Sequence, residues 1–247
     1  MRDRAGAPAR DANDLLRLPA TDGIVSMTEI ARTADTFEFD TATRALIRLA
    51  ARIAGGSELD VREGLNETAT AGTPAVWIEE VLLQSYLFAG FPRTLNAARE
   101  WQRQGRGGRQ GQGIRQGQGE GRGGGRGELD FRALGEATCA RVYGKFYEKL
   151  RHNIFELHPE LDDWMIEEGY GKVLSRPGLD LARRELCIVA ACVAAGQDRQ
   201  LHSHLHGARN VGAPDSAIAG TLAALAGAVP LDNLSRAMLL WNRVVGK

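Results

Sequence analysis

The sequence predicts an all-α protein built from two copies of one helical unit. Three observations carry that reading. Apolar residues recur at helical rather than strand spacing, and glycine and proline gather at the breaks between the periodic runs. The third is that the chain aligns on itself without a gap at a constant offset of 140 residues.

The elements follow in order. Residues 1–22 read as a flexible N-terminal tail and residues 23–101 as the first repeat. Residues 102–127 form a linker of almost nothing but Gly, Arg and Gln, with Ile114 its one clearly apolar residue, which cannot build a core. Glycine gives that stretch backbone freedom and the arginines keep it extended. It could also touch RNA phosphates, but it lacks interleaved aromatics for base stacking. Residues 128–247 form the second repeat.

The self-alignment pairs TRALIRLAARIAGGSELDVREGLNETATAGTP, from Thr43, with RRELCIVAACVAAGQDRQLHSHLHGARNVGAP, from Arg183. Leu46 falls on Leu186, Gly56 on Gly196, Gly72 on Gly212 and Pro74 on Pro214. The shared plan is an apolar helix, a short turn, an amphipathic helix ending in glycine, and a third helix opened by proline.

The chain has 247 residues, 43% of them hydrophobic, enough for one large core or two modest ones. Lys plus Arg and Asp plus Glu both number 31, so no strong global field draws it to nucleic acid or an anionic membrane. No apolar run approaches the length of a membrane span and the N-terminus lacks a signal peptide's apolar stretch, so a cytoplasmic location is expected. Cys139, Cys187 and Cys192 fit neither a zinc site nor a CxxC pair and read as reduced core residues.

Candidate chemistry concentrates in the second copy. Asp180 can cap a helix whose LCIVAACVAA stretch is apolar on every side, and Glu185 sits at its entrance. Glu185 can be a proton-transfer group raised by burial, an ion-pair partner of Arg184 or Arg176, or an exposed first-turn acid. On the next helix, Leu201, His204, Leu205, Ala208 and Val211 share one face, and His202, His206 and Arg209 the other. His204 thus points inward, either as a hydrogen-bonded core residue or to meet Glu185. His202 and His206 are four apart, but a third ligand is missing, so no metal site is expected.

Glu185, then His204 nineteen residues later, Ala208 and the NVGAP turn resemble the carboxymuconolactone decarboxylase family of the AhpD-like superfamily. The lead-in from Arg141, with its SRPGLD turn at residues 175–180, is similar to the decarboxylase branch. TPAVWIEEVLLQSYLFAGFPRTLNA, from Thr73, resembles the family's third helix, so the two copies read as AhpD-like repeats. The peroxidase branch carries a CxxC pair where this chain has Gln197 and Gln200, which removes the nucleophile. The resemblance therefore implies a decarboxylase-type enzyme that needs no metal or organic cofactor and moves a proton at a small carboxylated or lactone-type substrate. Glu185 and His204 would be its catalytic residues.

Arg176 would clamp the substrate carboxylate and Trp164 would line the pocket. A related isomerase, cyclase or lyase at the same pocket, or a non-catalytic binding or assembly protein, are the alternatives. The first copy has Ala45 and Gly64 at the positions of Glu185 and His204 and reads as a scaffold that could complete the pocket. By resemblance the partners are a small-molecule substrate and further copies of the chain, as a homotrimer forming a pseudo-hexamer.

Overall fold

The computed structural model describes residues 39–105 and 129–246. The expected N-terminal tail and all but the first residues of the expected linker lie outside the described residues. Every regular element described is helical, as the sequence predicts.

Helix α1 spans Thr41–Gly55 and starts on Asp40, whose carboxylate accepts from the Thr43 backbone N–H at 2.8 Å. Helix α2, Glu58–Thr70, starts on a reciprocal capping box between Ser57 and Asp60. Helix α3, Ala75–Arg103, is broken at Gly90, where φ is +77°, and Pro92 follows without an N–H to give. Its last turn includes Gln102 and Arg103, so the helix runs two residues into the stretch expected to be linker. Apolar Ala97 and Trp101, buried on its inner face, carry it that far.

Beyond residue 128 come α4 (Phe131–Tyr143), a 3-10 turn (Gly144–Phe146), α5 (Tyr147–Leu157) and α6 (Pro159–Trp164). The last runs directly into a π-helical segment, Met165–Leu174. Then follow α7 (Leu181–Ala194), α8 (Asp198–Asn210), α9 (Asp215–Ala224) and α10 (Leu231–Val244). The starts of α7, α8 and α9 lie 140 residues after those of α1, α2 and α3. Gly72 and Gly212, which close α2 and α8, both take positive φ, at 66° and 93°.

Apolar helices α1 and α7 pack along each other at the centre. A Cβ on Gly55 would lie 2.8 Å from the Ala194 carbonyl oxygen, so glycine permits this close approach. Asp180 caps α7 through the Arg183 backbone N–H at 2.9 Å, and every residue from Arg184 to Ala194 is buried. The Arg183 side chain reaches Thr43 Oγ1 at 2.9 Å and lies over the Trp77 ring, fastening the starts of the two helices. Helix α8 crosses between α7 and α4, while α3 packs on both α7 and the π-helical segment. Helix α4 and the π-helical segment meet through reciprocal glycines, Gly135 against the Ile166 carbonyl and Gly171 against the Phe131 carbonyl. Among the described residues no helix is long and apolar enough to cross a membrane.

Candidate active site

Glu185 lies at the start of the fully buried run of α7, and His204 lies in the middle of α8 on its inward face. The packing of these helices brings Glu185 Oε2 to 2.8 Å from His204 Nδ1. Both side chains are buried, Glu185 with no exposed surface. Leu201, Leu205 and Ala208 are buried beside His204, so the helical-face argument held for the residues that set its direction.

Nδ1 faces a carboxylate, so it carries the hydrogen in the neutral tautomer and Nε2 keeps a lone pair. Glu185 Oε1 has no hydrogen-bond partner among the described residues. A buried carboxylate oxygen left unpaired is costly and calls for an explanation other than packing.

Gly207 makes the close approach possible. A Cβ at that position would sit 2.7 Å from Glu185 Oε2 and 2.8 Å from Val142 Cγ1. One turn further on, Asn210 donates its side-chain N–H to the Val142 carbonyl at 2.7 Å and locks α8 to the end of α4.

His204 opens onto a cavity of about 500 Å³. From the second half, Tyr143, Trp164, Met165, Tyr170 and Leu174 line it, with Glu168 and Gln200. From the first half, α3 contributes Tyr86, Leu87, Phe88 and Phe91 around the Gly90 break. The Phe88 ring meets the His204 imidazole edge-on, with centroids 5.5 Å apart. Helix α3, in the part of the chain expected to be a scaffold, supplies one wall of the cavity.

The tyrosines are the polar feature that sequence reasoning missed. The rings of Tyr143 and Tyr170 meet edge-on, with centroids 6.2 Å apart, and burial pushes both phenols above their ordinary range. The Tyr143 ring lies 6.4 Å from the His204 ring. Neither stands among the expected lining residues: Tyr170 follows Trp164 by six residues in the same lead-in, and Tyr143 owes its place to the end of α4 at Gly144. The close run of Tyr86, Phe88 and Phe91, in a chain only 6% aromatic, was the available signal for the opposite wall.

Trp164 lines the cavity as expected and is 59% exposed, at its rim. Arg176 does not line it. Its Nε donates to both carboxylate oxygens of Glu80, at 3.0 and 2.9 Å, and so its expected role as a carboxylate clamp is replaced by a structural ion pair. Arg184, fully buried, joins the same group through Glu80 Oε2 at 2.8 Å, Gln84 Oε1 and the carbonyls of Leu179 and Arg176. Neither arginine pairs with Glu185.

The remaining candidates fall outside the cavity chemistry. His202 and His206 stack edge-on, 5.0 Å apart, and no group of three metal-binding side chains occurs among the described residues. Cys139, Cys187 and Cys192 are buried free thiols that burial pushes up to about 12. Such thiols stay protonated at neutral pH and are poor nucleophiles.

Residues 159–242 match the model of the Carboxymuconolactone decarboxylase family. That span includes the π-helical segment, α7, α8 and both members of the Glu185–His204 pair. The chain is also 29% identical over 137 residues to Peroxisomal protein 2 of Schizosaccharomyces pombe. That alignment covers 55% of this chain and 61% of the relative, less than two thirds of the relative's length.

Proposed function

We propose that the protein is an acid–base enzyme, working without a cofactor on a small enolisable molecule held against His204, with proton-transfer isomerisation or cyclisation its leading reaction and decarboxylation the second. The observation that carries the reading is the buried 2.8 Å contact of Glu185 with His204 Nδ1, which leaves Nε2 to the cavity. The family match over residues 159–242 supports it.

Glu185 fixes the tautomer and orientation of the imidazole and stabilises the imidazolium when it forms. In a decarboxylation, the bond to the carboxyl carbon breaks, carbon dioxide leaves, and its electron pair is held as an enolate until protonated His204 delivers a proton to carbon. In an isomerisation or cyclisation, neutral His204 removes a proton beside a carbonyl and returns it elsewhere. The second form is favoured over the first by one observation: the arginine expected to hold a substrate carboxylate is engaged by Glu80. Thiol-based peroxide reduction is disfavoured by Gln197 and Gln200 and by the raised thiols.

The test is a panel of small ketones, lactones and 3-keto acids in deuterium oxide, followed for carbon-bound deuterium and for carbon dioxide. His204→Gln is expected to lower turnover about a hundredfold or more with folding intact, and Glu185→Gln to lower it in the same direction. Undiminished turnover in His204→Gln would remove the reading. The relative's name places that protein in the peroxisome, so a tagged full chain imaged in cells decides between that compartment and the cytoplasm for this one.

A further inference from the structure

The cavity beside His204 has an electrostatic character that restricts what it can take. Among the described residues no lysine or arginine lines it. Its one lining acid, Glu168, is already matched by Lys172 at 2.5 Å, and a protonated His204 is already matched by Glu185. A substrate carboxylate entering here would lose its hydration and meet no uncommitted cation, a cost of several kcal/mol by general experience with buried ions. The walls offer rings instead: Tyr86 stacked on Phe91 with centroids 5.1 Å apart, Phe88 edge-on to His204, and Trp164 at the rim.

The tyrosine hydroxyl on the His204 side of this setting belongs to Tyr143, which lines the cavity and whose ring meets that of Tyr170 edge-on, with centroids 6.2 Å apart. Burial raises the Tyr143 phenol above its ordinary range, so it keeps a proton to donate. The same edge of the cavity carries His204, whose ring is 6.4 Å from that of Tyr143. A hydrogen-bond donor and a base at this separation can address two neighbouring atoms of one small molecule, the oxygen and the α-carbon of a carbonyl.

We propose that the substrate is an uncharged, ring-bearing carbonyl compound whose carbonyl oxygen accepts from the Tyr143 hydroxyl while His204 works on the adjacent carbon. The inference rests on the acid–base reading of Glu185 and His204 and specifies its substrate class. In the step it implies, His204 Nε2 takes the α-hydrogen, the C–H electron pair becomes the enolate, and Tyr143 stabilises the oxygen through its hydrogen bond. The imidazolium then returns the proton to carbon, so that charge and atoms balance without a co-reactant. Tyr143 is a catalytic residue in this scheme, and the Tyr170 ring packs edge-on against it.

The experiment compares two probes of matched ring size on the full chain: 2-tetralone, a neutral enolisable ketone, and 2-naphthoate, its carboxylate counterpart. Calorimetry gives their affinities, and proton NMR in deuterium oxide gives exchange at the α-carbon of the ketone above the buffer rate. The expected result is at least about tenfold tighter binding of 2-tetralone. Tyr143→Phe should weaken it about tenfold and slow exchange, as for the loss of one buried hydrogen bond. Tyr170→Phe, which keeps the Tyr143 hydroxyl and the ring packed against it, should bind more tightly than Tyr143→Phe and shows that the effect is not general unfolding.

Equal or tighter binding of 2-naphthoate, binding of neither probe, or an unaffected Tyr143→Phe overturns the substrate class. Preferential binding of the ketone without exchange, or exchange that survives His204→Gln, leaves the substrate class standing and overturns the acid–base reading instead.

Discussion

Gly207 shows how a residue without a side chain can set a catalytic geometry. It faces Glu185 Oε2 and Val142 at distances no methyl group could share. Gly207→Ala must therefore push Glu185 off His204 or part α8 from α4. The expected outcome is a loss of about 1–3 kcal/mol in denaturant unfolding together with a fall in turnover. A variant as stable and active as the parent would mean that the close contact is not needed.

His202 and His206 carry a second expectation at this scale. Burial lowers the pKa of both below the ordinary histidine value of 6.5, with Arg243 adding to the effect on His202, and His202 and Arg209 adding to that on His206. The folded chain therefore binds fewer protons at these sites than the unfolded chain just below pH 6.5. Stability is fully present above that pH and is lost as pH falls through the depressed folded-state values. Urea midpoints measured from pH 7.5 to pH 5 should decline, and His202→Gln with His206→Gln should flatten the decline. An unchanged slope would assign the acid sensitivity to other groups.

At the scale of elements, the group formed by Glu80, Gln84, Arg176 and Arg184 ties α3 to α7 and to the turn before it. Glu80 and Arg184 are both out of solvent, and Glu80 serves two guanidinium groups at once. Removing the acid strands a buried arginine, so Glu80→Ala is expected to cost about 3–5 kcal/mol in urea unfolding. A loss below 1 kcal/mol would show that water or a shifted side chain compensates Arg184.

The same group marks where sequence reading stops. Helical periodicity, the Asp180 cap and the inward face of α8 were all local patterns; they left a meeting of Glu185 and His204 as one reading among others, and the family resemblance chose it. Arg176 looked like a substrate clamp because its partner, Glu80, stands 96 residues away on another helix and no spacing rule connects them. Tyr143 was invisible for a similar reason, since its part in the cavity depends on how α4 meets α8. Trp164 was legible because it lies in the same lead-in as the rest of the site.

At the scale of the whole molecule, the two halves share one interior. Helix α7 is apolar around its full circumference, and α1 covers one of its sides. Helix α3 closes the cavity with Phe88 against His204 and binds Arg184 through Glu80. A chain reduced to residues 129–246 would expose the α1-facing side of α7 to water, where each large apolar side chain loses about 1.5–3 kcal/mol of burial. It would also leave Arg184 without its carboxylate. Residues 129–246 expressed alone are therefore expected to be poorly soluble or to lack a cooperative thermal transition, and co-expression with residues 39–105 on a separate chain should restore both. If the shorter chain folds cooperatively and turns over substrate alone, the first half would be dispensable. The wall formed by Tyr86, Phe88 and Phe91 would then have no part in holding the substrate.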